Sequence, residues 1–189
     1  MDMKSRLTVL DPFAAVMGEQ LNALAAPLWT PWPVPLGWSF TGCGSLSAES
    51  LDEGVQAEGT STVASWSGHD PFGDPIEVLF VCEEAGSGLG ADFTGLDTHY
   101  PPGSVGEGPP HAKFMVEGRP VPLWSVEGAA ADRAAFAGEA AGRWLWVILH
   151  PAEAGAIMIQ PMTLVDARQL GAELAVVPVA ELSPRLLVD

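Results

Sequence analysis

Arg143–His150 reads RWLWVILH, eight residues that are apolar on both alternating faces. A strand of this kind must be covered on both sides, so it is read as the centre of a sheet. The neighbouring segments extend the β pattern. Ile76, Val78, Phe80 and Cys82 alternate along one face of a second strand, with Glu77 on the other. Thr60–Ser67 and Trp38–Thr41 alternate in the same way. Lys113–Glu117 and Val121–Glu127, joined through Gly118-Arg119-Pro120, read as two strands with a tight connection.

Helices are expected at two places. Asp11 is a good N-cap and Pro12 suits the first helical position. Phe13, Val16, Met17, Leu21 and Leu24 follow on one stripe that must be buried, on the main domain or on a second copy, and Pro27 ends it. Ala130–Ala141 is rich in alanine and is followed by Gly142 at a suitable C′ position, so it reads as the second helix. Beyond the central strand, Pro151–Gly155 should turn into a strand at Ala156–Gln160. A helical turn near Asp166–Leu170 and a last strand at Leu174–Val179 follow. The expectation is an α+β fold with one mainly antiparallel sheet of about seven to eight strands. Residues 1–26 form an N-terminal helical segment and 27–189 the α+β domain.

The charge is lopsided. Eight Lys and Arg face 24 Asp and Glu, a formal net charge of −16. Between Arg6 and Lys113 lie 106 residues with 14 acidic side chains and no Lys or Arg. Phosphate backbones and anionic lipid call for a basic footprint, so neither nucleic acid nor membrane is an expected partner. Hydrophobic residues make up 48 % of the chain, which argues against intrinsic disorder. Leu7–Leu10 is too short for the apolar core of a secretory signal, and the expected location is the cytoplasm. Cys43 and Cys82 are accordingly read as reduced and buried.

Pro27–Trp38, PLWTPWPVPLGW, holds four prolines and three tryptophans in twelve residues. It reads as a stiff extended strap, either packed over the core or offering Trp29, Trp32 and Trp38 as a contact surface. Gly86–Pro110 has seven glycines and four prolines, too many for a long helix.

Three blocks carry a resemblance: PLWTPWPVPLGWSFTG at 27–42, GSGLGADFTG at 86–95, and PPHAKFMVEGRPVPLW at 109–124 with DRAAFAGEAAGRWLWVILHP at 132–151. They resemble an uncharacterised domain family of high-GC Gram-positive bacteria, from about residue 26 to the C-terminus and including LSPRLL at 182–187. The resemblance implies no named activity. Members commonly open with a Cys-x-x-Cys zinc ribbon, whereas residues 1–26 here hold no cysteine, so no zinc-linked role carries over.

Motifs for chemistry are sparse. Gly86-x-Gly88-x-x-Ala91 imitates a dinucleotide fingerprint, but Glu83-Glu84 precedes it and no helix is expected after it. His69-Asp70 with Asp74 reads as an ordinary turn rather than a cation site. The pairs Asp52-Glu53 and Glu83-Glu84 read as solvated loop charges. No Gly-x-Ser-x-Gly elbow occurs. His111, Lys113 and Arg119 form a conspicuous basic spot beside the long loop, fit for an anionic ligand, an acidic partner segment, or salt bridges to Glu117 and Glu127. Trp124, Trp144 and Trp146, with Trp66 and the strap, supply either core or the walls of an aromatic pocket. The expected function is a non-enzymatic binding or protein-interaction module, with a homodimer as the expected assembly and without cofactor or metal. The alternatives are an enzyme using the His111/Lys113/Arg119 region and a small-molecule carrier with an aromatic pocket.

Overall fold

The computed structural model describes residues 7–16, 18–46 and 60–187. Met17 and the proposed acidic loop around Asp52-Glu53 lie outside them. Ten strands form one curled sheet: β1 (Thr8–Leu10), β2 (Trp29–Pro31), β3 (Ser39–Leu46), β4 (Ser61–His69), β5 (Pro75–Glu83), β6 (Ala112–Val116), β7 (Arg119–Ser125), β8 (Ala134–Ala140), β9 (Arg143–His150) and β10 (Thr163–Asp166). Their order is β1-β3-β4-β5-β9-β8-β7-β6-β10-β2, more strands than the seven to eight expected. The sheet curls as a half-barrel, and β2, at one end of the order, comes close to β4 and β5. Pairing is antiparallel except between β10 and β6. Among the described residues two short α-helices accompany it, α1 (Pro12–Val16) and α2 (Leu89–Thr94).

The run at 143–150 does occupy the interior of the sheet, between β5 and β8. Leu145, Val147 and Leu149 enter the larger apolar cluster, while Trp146 and Ile148 enter the smaller one on the opposite face. β5 divides likewise, with Val78, Phe80 and Cys82 on the first side and Leu79 and Val81 on the second. Strict period-2 burial of both faces is the physical content of the original pattern.

The helix expected at 130–141 is instead strand β8. Ala140 pairs with Arg143 across a two-residue turn in which Ala141 and Gly142 have φ of 54° and 75°. Left-handed values at both positions define a type I′ hairpin turn. Gly142 thus supplies the backbone freedom anticipated for it, but to a hairpin rather than to a helix end. Tertiary pairing overrides alanine's helix propensity. Gly138 permits the close approach of β7, since a Cβ there would lie 2.2 Å from the Pro122 carbonyl oxygen.

The N-terminal helix is shorter than its apolar stripe. Asp11 Oδ1 accepts from Phe13 N at 2.9 Å, the cap expected, but α1 ends at Val16 and Gly18 turns left-handed at φ 83°. A 3-10 turn at Leu21–Ala23 follows. Val16, Leu21 and Leu24 pack on the larger cluster of the same chain, whereas Phe13 is exposed.

Near the C-terminus, 3-10 segments at Ala152–Ile159 and Gly171–Val176 replace the strands expected at Ala156–Gln160 and Leu174–Val179. Each carries a Gly or Pro early on, and only a bridge between Val179 and Phe40 remains of the second strand. The expected helical turn near 166–170 is present as a 3-10 turn at Ala167–Gln169.

Candidate functional site

The strap divides its tryptophans between two tasks. Trp29, in β2, is 1 % exposed and belongs to the core. After β2, Trp32 N bonds Thr163 O at 3.0 Å, and the chain passes through the cis Trp32–Pro33 bond to a turn closed by Trp38 N and Pro35 O at 3.0 Å. Trp38 Nε1 donates to His69 O at 3.4 Å, and its ring lies on Gly68, where a Cβ would stand 2.3 Å from it. Trp32 and Trp38 thereby face a cleft of about 510 Å³. Its other walls are the His69–Pro71 turn and the Ile157–Thr163 segment.

The wall is chiefly apolar and aromatic. Leu36 lines the cleft fully exposed, and the exposed Phe72 and Ile159 adjoin its lining residues. The carboxylate of Asp70 accepts from Phe72 N at 2.8 Å and Asp74 N at 2.9 Å, so it holds the turn in shape. Among the described residues no group of His, Cys, Asp and Glu is arranged to hold a metal ion.

The basic spot is not brought together. Register pairs Lys113 with Pro122 and Arg119 with Val116, so Lys113 and Arg119 project from opposite faces of the β6–β7 hairpin. The hairpin turns at Glu117 and Gly118, with φ of 48° and 76°, one residue earlier than the sequence pattern suggested. That shift places Arg119 at the start of β7 rather than in the connection. Neither cation has an ion pair among the described residues, and Glu117 Oε1 accepts from Gln169 Nε2 at 2.9 Å. His111 Nδ1 accepts from Ser125 N at 3.0 Å, and Trp124 Nε1 donates to Gly108 O at 3.2 Å. These two side chains thus anchor the end of the long loop. None of the four lines the cleft.

Glu83 departs most from the sequence reading, for it is 0 % exposed rather than solvated. A short helix does open after the glycines, α2, with Gly88 left-handed at φ 75° as its N-cap. Glu83 Oε2 accepts from Ser87 Oγ at 2.7 Å and Gly90 N at 3.0 Å, so a carboxylate of the chain already fills the place a phosphate would need. Burial pushes the Glu83 carboxyl above its ordinary range, against the lowering effect of these donors.

The chain belongs to a family of unknown function, DUF6758, whose model matches residues 4–186. The resemblance to a domain family without assigned activity is therefore sound, and the match takes in most of the N-terminal segment as well. No curated protein and no solved structure matches the chain. No helix among the described residues is long and apolar enough to cross a membrane.

Proposed function

We propose that the chain is a non-enzymatic binding module whose contact surface is the cleft beneath the Trp/Pro strap, and that it takes an apolar or aromatic organic group. One observation carries this reading. A sequence-local strap, a turn at 69–71 and a segment at 157–163 build one aromatic-walled cleft of about 510 Å³, within the size range of small-molecule sites. Prolines and the Gly68 contact hold Trp32 and Trp38 in place, which limits the ordering cost of binding. The separation of Lys113 from Arg119 supports this reading over an enzyme centred on them.

Saturation-transfer NMR with indole, 2-naphthol and hexanoate provides the test. At least one probe should bind saturably and lose about tenfold affinity in Trp32→Ala, by removal of a large aromatic contact. No binding by any of the three would refute the small-molecule reading.

A protein partner, including a second copy, is the second reading. The exposed Leu36 on the cleft, with the exposed Phe72 and Ile159 next in sequence to its lining residues, favours it. Sedimentation should then reveal a concentration-dependent dimer that Leu36→Asp abolishes. A monomer at every concentration would eliminate the homodimer.

A further inference from the structure

A second cavity, of about 380 Å³, opens on the face of the smaller apolar cluster, where Leu79 and Phe93 form part of its wall. Arg133 and Arg185, two of the few cations in a chain of net charge −16, reach it from segments 52 residues apart. His150 lines it from the end of β9.

These groups converge on one oxygen. Arg133 Nη2 lies 3.1 Å from Asp132 Oδ2, His150 Nδ1 lies 3.7 Å from it, and Arg185 Nη1 lies 3.9 Å from it. Only the first distance is a hydrogen bond. His150 is 3 % exposed, yet its Nδ1 has no hydrogen-bond partner. An unpaired buried ring nitrogen is costly, so its persistence beside a cavity calls for a partner. Arg185 is fixed through Nε, which donates to Glu77 Oε2 at 2.6 Å. Its two terminal nitrogens make no hydrogen bond among the described residues. Glu77 is held in turn by the Ser65 and Ser183 hydroxyls. Arg133 Nη1 is anchored on Phe93 O at 2.6 Å. Arg133 also donates through Nε to Asp132 Oδ1 at 2.7 Å, so these two side chains form a bidentate pair. Arg185 and His150 are positioned independently of Asp132, whose side chain is 55 % exposed on the turn before β8.

We propose that Arg133, Arg185 and His150 form a site for a small oxyanion, a carboxylate or phosphate group, and that Asp132 occupies it as an internal stand-in until the ligand displaces it. Asp132 pairs closely with Arg133 but reaches His150 and Arg185 only loosely, because its backbone ties it next to Arg133. A free oxyanion can settle closer to Arg185 and His150 and satisfy both. Guanidinium pairs favour such planar or tetrahedral oxyanions over a single ammonium contact. Arg133 and Arg185 against Glu77 leave one net positive charge once Asp132 is displaced, which suits a weak and exchangeable ligand rather than a permanent one.

The test is titration of the protein with inorganic phosphate and, separately, sodium acetate, followed through the His150 ring signals by NMR. One or both should shift those signals saturably, and the arm that binds more tightly identifies the ligand chemistry. Asp132→Asn removes the competing charge from a half-exposed position and should tighten binding at least about fivefold. Arg185→Gln should weaken it about tenfold or more. A purely structural role for Asp132 predicts no gain of affinity. If neither anion moves the His150 signals, or Asp132→Asn binds no more tightly than the parent, the proposal fails. Because the parent titration and Asp132→Asn together decide the matter, misfolding of Arg185→Gln would leave the test intact. Failure here leaves the Trp/Pro cleft untouched, since the two sites share no residue.

Discussion

Trp146 Nε1 donates to Glu83 Oε1 at 2.6 Å, and both side chains are 0 % exposed. This bond joins the central strand β9 to the end of β5, and the other carboxylate oxygen holds the start of α2. A buried carboxylate with this many donors is a single unit: losing the acceptor strands all of them. Glu83→Ala should destabilise the protein by about 3–5 kcal/mol. Glu83→Gln should cost less, because its carbonyl oxygen still accepts while its amide meets one donor. Urea unfolding followed by tryptophan fluorescence ranks the two, and equal stability of Glu83→Ala and parent would contradict the account.

Gly90 is the complementary position. A Cβ there would sit 2.3 Å from the Trp146 ring. An Ala replacing Gly in a helix ordinarily gains up to about 1 kcal/mol. Here overpacking should reverse the sign, and Gly90→Ala should lose about 1–3 kcal/mol. A thermal melt of the variant above that of the parent would show that α2 can move away from β9.

Buried His150 makes stability depend on pH. Burial, first, and then the charges of Arg185 and Arg133 push its pKa down from 6.5 to about 4. Above pH 6.5 the ring is neutral in both folded and unfolded chains. As the pH falls toward 4 the unfolded chain takes up the proton first, so stability drops through that window by roughly 3 kcal/mol at most. Glu83 acts in the opposite direction. Its raised pKa lets the native state protonate first, so the cost of its burial is relieved as the pH falls. Urea midpoints between pH 7 and 4 should therefore decline less steeply in His150→Gln than in the parent. An unchanged slope would assign the pH dependence to other groups.

The cysteines should be silent in the native state. Cys43 lies on β3 and Cys82 on β5, with β4 between them. Next-nearest strands are about 9–10 Å apart, too far for a disulfide. Burial pushes both thiols up to about 12. Ellman's reagent should find no reactive thiol in the native protein and both after denaturation. Fast reaction of either in native buffer would reveal an opening of the sheet.

Much of the sheet was legible because period-2 burial leaves its mark residue by residue, as in Val78, Phe80 and Cys82 against Leu79 and Val81. What escaped depends on tertiary context. Ala134–Ala140 carries no β-branched residue, and its small side chains are wanted where β7 and the Ala152–Ile159 segment approach closely. Gly142 signals a left-handed residue but not which turn uses it. Lys113 and Arg119 illustrate how the exact position of a turn decides which face a nearby side chain takes. Of the candidate cleft, the strap could be read directly. Its other two walls could not, because no local pattern links His69–Pro71 to Ile157–Thr163. Glu83 was misplaced for a related reason: a Glu-Glu pair resembles a surface until the residues covering it are known.

Both outermost strands of the sheet come from the stretch 8–31, since β1 flanks β3 and β2 flanks β10. On the ribosome this has a temporal meaning. β2 emerges more than a hundred residues ahead of its hydrogen-bonding partner at 163–166. Until β10 is synthesised, Trp29 and the strap have no ladder to join. The prolines at 27, 31, 33 and 35 are then protective, because they withhold the amide donors through which an early, unpaired apolar segment would recruit another nascent chain.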